Sequence, residues 1–265
     1  MIRAVVIGAC GRMGREVLKA VWGANDVQLA GAVDVRSEGL DVGEILGVGR
    51  TGITVSQNLE EVLAAVKPDV AVDFTGPDSV YNNTIMCLKY RVRPVVGATG
   101  MDTGQIQEIV EASAKEQIGG LIAPNFAIGA LLMMKFAKEA ARYMPCVEII
   151  ELHHDKKLDA PSGTAIKTAE MIAEQRAGYE GAKGSLEKIN GVRGGDFGWG
   201  IRIHSVRLPG LVAHQEVIFG GTGETLIIRH DSLSRESFMP GVLFGIRKVM
   251  ELKKVVYGLD KLLFE

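Results

Sequence analysis

The stretch Ile2-Arg-Ala-Val-Val-Ile-Gly-Ala-Cys-Gly-Arg-Met-Gly14 decides the fold of the first half of this 265-residue chain. Within it, Ala4 to Ile7 form a short continuous apolar run, which is typical of a strand buried on both faces of a parallel sheet. The glycines that follow are spaced G-x-x-G-x-x-G, and apolar residues then recur at helical spacing. A glycine-rich turn between a strand and a helix is where dinucleotide phosphates bind, although the common spacing is G-x-G-x-x-G.

An acidic residue follows this turn at the distance that a dinucleotide site requires. A second predicted strand, Val27–Val33, ends at Asp34, twenty residues after Gly14. A carboxylate in this place binds the ribose hydroxyls of the cofactor and favours NAD(H), because it repels a ribose 2′-phosphate. Arg36 lies two residues further on and could neutralise that phosphate, so NADP(H) stays open.

Strands and helices continue to alternate up to about residue 126, which predicts a Rossmann-like, doubly wound parallel sheet of the α/β class. The predicted helices cover residues 58–66, 78–90 and 103–116, and the predicted strands cover residues 70–74, 94–98 and 121–124. Ligands of such sheets bind at the carboxyl ends of the strands. We therefore expect the loops at residues 75–77, 97–99 and 123–126 either to surround the nicotinamide end of the cofactor or to be simple turns.

The second organising stretch is Glu151-Leu-His-His-Asp-Lys-Lys-Leu-Asp-Ala-Pro-Ser-Gly-Thr164. It follows a predicted strand over residues 147–152, and Ser162 is placed to cap a helix. Unpaired backbone N–H groups at a helix start attract an anion such as a carboxylate. Gly163 lets such a ligand approach the backbone closely, and the hydroxyls of Ser162 and Thr164 add hydrogen-bond donors. The helix start therefore indicates an anionic ligand.

The same stretch carries groups that can transfer a proton. Lys157 offers a positive charge and an acid proton, and His153 and His154 can hold or release a proton near neutral pH. Because all five histidines lie in the second half of the chain, a zinc site is an alternative. However, neighbouring strand residues point to opposite faces, and neither Cys-x-x-Cys nor His-Glu-x-x-His is present, so we expect no metal. The stretch indicates a small, multiply anionic substrate that receives a proton.

The rest of the second half predicts an α+β domain with an open mixed sheet. Its predicted elements are a helix at 128–143, strands at 200–207, 213–219 and 224–230, and a final helix at 238–250. Partial alternation of apolar and polar residues predicts a sheet with one face on helices and the other face free, which we expect to be a subunit interface. Residues 178–200 are rich in glycine, lysine and glutamate and predict a mobile surface loop.

Composition excludes several classes of function. Hydrophobic residues make up 47% and charged residues 23%, as in ordinary globular proteins, and the net charge of −2 gives no sign of nucleic acid or an anionic membrane as partner. The three cysteines have no motif spacing and suit reduced thiols. No secretory signal is visible, and the longest apolar patch, residues 126–134, is too short to span a bilayer. We expect a soluble cytoplasmic protein.

Both organising stretches resemble the 4-hydroxy-tetrahydrodipicolinate reductase family, long called dihydrodipicolinate reductases. The motif from Glu151 to Ala165 is highly specific for this family, and the Gly8-x-x-Gly11-Arg-Met-Gly14 turn accompanies it. Later stretches agree, namely Gly-Val-Arg-Gly-Gly at 191–195, Ile-His-Ser-Val-Arg-Leu-Pro-Gly at 203–210 and Arg-Glu-Ser-Phe-Met-Pro-Gly at 235–241. The resemblance covers essentially the whole chain.

The resemblance implies an activity and an assembly. The family reduces a cyclic dicarboxylate with NADH or NADPH and loss of water, in the diaminopimelate route to lysine, as homotetramers built through the sheet of the second domain. It also implies a dinucleotide-binding domain at residues 1–126 and 236–265, and a substrate-binding and oligomerisation domain at residues 127–235. Well-known members with dual cofactor use have a basic residue directly after the acidic one, whereas here Val35 follows Asp34. Cofactor preference therefore stays open.

The resemblance also implies roles for individual residues. His153 would be the proton donor or acceptor, and Lys157 a second proton donor. The residues implied for the substrate are His154, Ser162, Gly163 and Thr164. The residues implied for the cofactor are Gly8, Ala9, Cys10, Gly11, Arg12, Met13, Asp34, Gly97, Ala98, Thr99, Ala123, Pro124, Asn125 and Phe126.

Two alternative functions compete with this expectation. An amino-acid or semialdehyde dehydrogenase could share the architecture, but a semialdehyde dehydrogenase needs a nucleophilic cysteine. Cys146 is the only cysteine near the start of the second domain, and nothing around it suggests activation. A non-catalytic nucleotide sensor would be expected to have lost the groups of the second stretch, whereas His153 and Lys157 are both present.

Overall fold

The computed structural model describes residues 1–176 and 186–264. They form two compact units, one of Met1–Phe126 with Phe238–Glu265 and the other of Ala127–Ser237. No helix among the described residues has the length and apolar character needed to cross a membrane.

Strands and helices are numbered in chain order. The strands are β1 (Ile2–Ile7), β2 (Val27–Val33), β3 (Val55–Ser56), β4 (Val70–Asp73), β5 (Arg93–Val96), β6 (Gly120–Ile122), β7 (Cys146–His153), β8 (Gly195–Gly198), β9 (Ile201–Arg207), β10 (Ala213–Gly221), β11 (Glu224–Ser232) and β12 (Val255–Tyr257). The helices are α1 (Arg12–Trp22), α2 (Val42–Leu46), α3 (Leu59–Val66), α4 (Pro77–Lys89), α5 (Thr103–Glu116), α6 (Ile128–Ala140), α7 (Gly163–Ala173), α8 (Met239–Lys248) and α9 (Asp260–Leu263), and a 3-10 turn covers Arg235–Phe238.

The first unit is built on a seven-stranded parallel sheet with the order β12-β6-β5-β4-β1-β2-β3. Its central strands contain continuous apolar runs, and Val5 and Val6 of β1 are both completely buried. Such continuous burial is expected where helices cover both faces of a parallel sheet. The predicted Rossmann-like fold is therefore confirmed for this half of the chain.

The strand order reverses beside β1, which pairs with β2 on one side and with β4 on the other. In open α/β sheets, ligands bind outside the carboxyl ends of the strands at this switch point. Gly8 follows β1 there with a φ of 81°, and a Cβ on Gly8 would lie 3.0 Å from the carbonyl oxygen of Phe74, which follows β4. Only glycine combines this left-handed backbone with so close an approach.

The second unit contains a five-stranded mixed sheet with the order β11-β10-β7-β9-β8. Strand β7 runs parallel to β9 and antiparallel to β10, and the two outer pairs are antiparallel. On β7, Val147, Ile149 and Glu151 are buried, whereas the residues between them are only partly buried. This alternation confirms the open mixed sheet, and it places Glu151 on the same face as the buried aliphatic side chains.

The loop predicted at residues 178–200 is partly wrong. Gly195–Gly198 form β8, which pairs with Arg202 and Ile203 of β9. The backbone hydrogen bonds of that pairing compensate for a composition that is poor in strand-forming side chains. The first part of the predicted loop, residues 178–185, lies outside the described residues. The helix predicted at 128–143 ends earlier, at Ala140.

Candidate active site

The glycine turn of the first unit has the geometry of an anion cradle. Helix α1 begins after Gly11, which has an extended backbone and supplies no side-chain cap. A Cβ on Gly14 would lie only 1.9 Å from the carbonyl oxygen of Gly8, so only glycine allows the helix to start against the turn. The backbone N–H groups and dipole at the start of this 11-residue helix favour a phosphate.

Asp34, which follows β2, is hydrogen-bonded to the backbone of this turn. Its carboxylate is largely buried and accepts hydrogen bonds from the backbone N–H groups of Cys10, at 2.8 Å, and Arg36, at 2.9 Å. Each carboxylate oxygen keeps a second lone pair that can accept a ribose hydroxyl. The turn and Asp34 together fit the adenosine and phosphate parts of a dinucleotide.

The loops predicted around the nicotinamide end contribute three residues to the core of the first unit, namely Ala98, Ala123 and Phe126. Gly97 packs under the ring of Phe74, whose Cε1 would lie 2.2 Å from a Cβ at this position. The ring centroids of Phe74 and Phe126 lie 5.7 Å apart, and the Phe126 side chain is buried. Thr99 and Pro124 are exposed. We expect any cofactor contact of Gly97 and Phe126 to be made by the backbone.

In the second unit, His153 is held by a carboxylate two residues before it on β7. Its Nδ1 lies 2.5 Å from Oε2 of Glu151, whose side chain is completely buried, whereas that of His153 is 15% exposed. Residues two apart on a strand lie on the same face, so the sequence Glu-x-His brings the two side chains together.

Glu151 also accepts hydrogen bonds from Arg207 and from the backbone of Ser162. Arg207 donates from Nη1 to Oε2 and from Nη2 to Oε1, both at 2.8 Å, and the Ser162 backbone N–H donates to Oε1 at 3.2 Å. Burial alone raises the pKa of Glu151, but the hydrogen bonds from His153, Arg207 and Ser205 outweigh it and lower the pKa to about 2. At neutral pH this carboxylate is ionised and can only accept, so Nδ1 of His153 carries a hydrogen. The nitrogen free to exchange a proton is therefore Nε2.

Lys157 lies in the loop that follows β7. Its Nζ donates to both carboxylate oxygens of Asp159 at 2.7 Å, and its backbone N–H donates to the carbonyl of His154 at 3.1 Å. The ammonium group holds the pKa of Asp159 below its usual range. Arg207 donates from Nη2 to the carbonyl oxygen of Asp159 at 2.8 Å. The same arginine thus anchors Glu151 and the loop that carries Lys157.

Helix α7 begins at the end of this loop. Ser162 is buried, and its Oγ accepts a hydrogen bond from the backbone N–H of Ala165 at 3.2 Å, which is the predicted cap. Gly163 is exposed, and a Cβ built on it would have no atom within 4 Å. The first turn thus presents an open surface to which a carboxylate could bind.

Buried hydrogen bonds hold the first turn of α7 against the second sheet. Thr168 Oγ1 donates to the carbonyl of Thr164 at 2.7 Å and accepts from Nε2 of Gln215 at 2.8 Å. Thr168 and Gln215 are both buried, and Gln215 pairs with Glu151 in the register of β10 and β7. Thr168 and Gln215 therefore form a line of buried polar side chains that runs from the start of α7 to the strand position opposite Glu151.

In the structure, Glu151 contacts both His153 and Ser162. Lys157 lies in the loop between β7 and α7, which joins these two residues. Sequence reasoning missed Glu151 and Arg207 as functional residues. The spacing Glu-x-His on a strand was the available signal for Glu151, whereas the contact of Arg207 depends on the pairing of β7 with β9. Across residues 1–176 and 186–264, no group of three or more histidine, cysteine or acidic side chains is arranged to hold a metal ion.

Comparison with known proteins assigns the family. The family model described as dihydrodipicolinate reductase, N-terminus, matches residues 2–126, and the one described as dihydrodipicolinate reductase, C-terminus, matches residues 129–263. The chain belongs to the dihydrodipicolinate reductase family. A curated relative from Syntrophomonas wolfei subsp. wolfei, named 4-hydroxy-tetrahydrodipicolinate reductase, is 53% identical over 98% of both chains. A relative of the same name from Listeria monocytogenes serotype 4b is 52% identical over 99% of this chain and 100% of its own length.

Solved structures agree with this family assignment. The dipicolinate-bound dihydrodipicolinate reductase from Paenisporosarcina sp. TG-14 has a TM-score of 0.87 and 47% sequence identity, covering 98% of this chain and 99% of its own. An amine dehydrogenase from Mycobacterium smegmatis has a TM-score of 0.67 at 16% identity, over 98% of this chain and 95% of its own, and shares only the fold. The family resemblance noted from the sequence is confirmed, and the site is therefore interpreted as that of a dihydrodipicolinate reductase family member.

Proposed function

We propose that this dihydrodipicolinate reductase family member reduces 4-hydroxy-tetrahydrodipicolinate to tetrahydrodipicolinate with loss of water, in the diaminopimelate route to lysine. The observation that carries the proposal is the segment from the end of β7 to the start of α7, which brings together a histidine held by a buried carboxylate, a lysine and an open helix start. Such a set suits a small dicarboxylate that gains a proton. The dipicolinate bound in the Paenisporosarcina relative is itself a cyclic dicarboxylate, which supports the same substrate class.

The residues of the second unit divide the work between binding and proton transfer. The start of α7, with Gly163 open to its surroundings, would bind one substrate carboxylate through backbone donors, assisted by Thr164 and His154. Lys157 would bind the other carboxylate or donate a proton. The Nε2 atom of His153 would give a proton to the ring atom next to the reduced carbon. Positioning and a matched proton donor are the main catalytic contributions.

The glycine turn and Asp34 fit a nicotinamide dinucleotide, which when bound supplies the hydride. Gly8, Gly11 and Gly14 would surround the pyrophosphate, and Asp34 would accept the ribose hydroxyls. We propose that both NADH and NADPH serve, with NADH preferred. The buried negative charge of Asp34 supports this preference, and the exposed side chain of Arg36 supports tolerance of a 2′-phosphate.

We propose a homotetramer assembled through the open face of the second sheet. Ile150 and Ile218 on this face are only partly buried, and Ile227 is 54% exposed. Burying such side chains against a second copy would remove apolar surface from water. Light scattering tests this assembly, since the mass of a single chain would contradict it.

Cys146 argues against a semialdehyde dehydrogenase. It lies at the opposite end of the eight-residue strand β7 from His153, a separation of about 23 Å at the rise of a strand. A thiol nucleophile so far from the proton-transferring group would not share its substrate. Labelling confined to Cys146 should therefore leave turnover intact, and loss of turnover on that labelling would favour the dehydrogenase.

The test of the proposed function is a steady-state assay of nicotinamide absorbance. Substrate is formed in place by condensing pyruvate with aspartate semialdehyde, and NADH and NADPH are compared side by side. We expect oxidation of both cofactors that depends on the condensation product, with a higher kcat/KM for NADH. No substrate-dependent oxidation by protein that binds nucleotide would contradict the proposal.

A further inference from the structure

The carboxylate of Glu151 is the point at which the parts of the second-unit site meet. It is completely buried, yet it accepts hydrogen bonds from His153, from the bidentate Arg207 and from the backbone of Ser162. A buried charge without partners would be costly, so an ionised carboxylate here is held in place by its donors.

We infer that Glu151 is a positioning residue for the reaction, one that fixes the tautomer and orientation of the His153 ring and the place of the α7 start relative to it. This inference rests on the proposed function, in which His153 transfers the proton. Glu151 itself lies beneath His153 and Ser162 and is not assigned a contact with substrate.

The contacts of Glu151 allow the His153 imidazole only one neutral tautomer and one ring orientation. Both carboxylate oxygens of Glu151 accept a hydrogen bond from the Arg207 guanidinium, each at 2.8 Å. Rotation of the carboxylate would break this bidentate pair. Since Nδ1 of His153 must donate to this fixed acceptor, the neutral ring keeps its free lone pair on Nε2. The ring that donates carries hydrogens on both nitrogens, and transfer from Nε2 leaves the neutral Nδ1–H tautomer whose hydrogen Glu151 accepts. A neutral ring with its hydrogen on Nε2 would have to become an imidazolate to give it up, so it is not a competent proton donor.

The second contact of Glu151 couples the histidine to the anion-binding turn. Oε1 accepts the backbone N–H of Ser162, the residue that caps α7. A single rigid group thus sets the position of the proton donor and that of the carboxylate-binding turn. Displacements of about 1 Å in such an arrangement are known to cost about 100-fold in rate.

The substitution Glu151→Gln tests the inference, because it removes the charge at nearly constant shape. An amide has one acceptor oxygen and one donor NH2 group in place of two acceptor oxygens, so at least one of the incoming hydrogen bonds must be lost. If the NH2 group faces His153, it donates to Nδ1 and moves the ring hydrogen to Nε2. We expect kcat to fall about 10- to 100-fold. The cofactor Kd should stay within about threefold of the wild type, because Glu151 holds groups assigned to the substrate and none assigned to the cofactor.

A matched control exists on the same strand. Glu148 also pairs with a histidine, at 2.8 Å between its Oε2 and Nε2 of His204, but on the opposite face of β7. The substitution Glu148→Gln therefore removes a second, more exposed carboxylate–histidine pair, which lies on the sheet face proposed for assembly and away from the site. We expect its kcat and the tautomer of His153 to match those of the wild type, with the oligomeric state of each variant checked by light scattering.

A spectroscopic readout separates positioning from general destabilisation. In histidine-labelled protein, two-bond 1H–15N correlations distinguish the Nδ1–H and Nε2–H tautomers, and His153→Gln assigns the signal. We expect Nδ1–H in the neutral ring of the wild type and loss of its dominance in Glu151→Gln. This measurement needs neither substrate nor cofactor, so it tests the positioning of His153 even if the wild type proves inactive and the proposed function fails.

Two outcomes would overturn the inference. One is a folded Glu151→Gln variant with the Nδ1–H tautomer and the kcat of the wild type, and the other is an equal loss of kcat in Glu148→Gln. If Glu151→Gln does not fold, Glu151→Asp keeps the charge but withdraws it by one methylene. A wild-type kcat in that variant would also contradict a role in positioning.

Discussion

The substitution Gly14→Ala gives a sharp test of how the first unit binds its cofactor. Gly14 lies in the first turn of α1, and a Cβ on it would lie 1.9 Å from the carbonyl oxygen of Gly8, 2.7 Å from the carbonyl carbon of Gly8 and 2.9 Å from Cα of Ala9. All three atoms belong to the backbone. They cannot rotate away as the end of a flexible side chain could.

The size of the effect follows from these distances. An ordinary contact begins at 3.4 Å, so the helix start and the turn must separate by 1.5 Å, the difference between 3.4 and 1.9 Å. Overpacking of this kind costs about 1–3 kcal/mol, and the better helix propensity of alanine offsets up to about 1 kcal/mol of it. Loss of one charge-assisted hydrogen bond to the pyrophosphate costs about 1.5–3 kcal/mol, or about 10- to 150-fold in cofactor affinity.

Titration with NADH by calorimetry and thermal unfolding of the free protein measure the two effects. The control is Gly23→Ala at the other end of α1, where φ is −81° and a Cβ would meet the carbonyl oxygen of Lys19 at 3.4 Å. We expect the control to bind NADH within about twofold of the wild type, since this contact is ordinary. If Gly14→Ala binds NADH and unfolds as the wild type does, the close approach of α1 to the turn is not what binds the cofactor.

Three further outcomes are expected. His153→Gln and Lys157→Ala should each lower kcat about 100-fold with cofactor Kd unchanged, because general acid–base groups contribute at this scale, and unchanged turnover in both would refute their roles. Arg36→Ala should lower kcat/KM about 5- to 10-fold for NADPH but not for NADH, as loss of one contact to a phosphate predicts, and equal effects on both cofactors would contradict this. Since the folded pKa of Glu151 is about 2, below its unfolded value, its contribution to stability is full above about pH 5 and is lost as pH falls towards 2. Chemical unfolding across this range should show that wild type loses roughly 3 kcal/mol more than Glu151→Gln, and parallel curves would refute the shift.

The fold of the first unit was predictable because local and long-range signals agree there. The apolar β1, the glycine turn and the periodic α1 specify a strand, a phosphate-binding turn and a helix, and their repetition allows little but a parallel sheet. The short strands escaped prediction for a physical reason. β12 has three residues and β8 is half glycine, so each is a strand only because β6 or β9 supplies its hydrogen bonds.

The candidate site was predictable in its chemical groups but not in its connections. His153 and Lys157 stand out by residue type, and Ser162 by its place before an apolar helix. The role of Arg207 could not be read from sequence, because it depends on the parallel register that sets Arg207 beside His153 across β7 and β9. Burial of Glu151 depends equally on which face of the sheet the helices cover, and this is a property of the folded unit.

Transfer of deuterium is the most direct test of the central claim that this chain reduces the cyclic dicarboxylate. Nicotinamide cofactor deuterated at the transferred position is supplied with the substrate formed from pyruvate and aspartate semialdehyde, and the product is analysed by mass spectrometry. The account predicts tetrahydrodipicolinate that contains one deuterium atom per molecule, formed in step with cofactor oxidation. Cofactor oxidation without deuterium in that product, or no substrate-dependent oxidation at all, would contradict it.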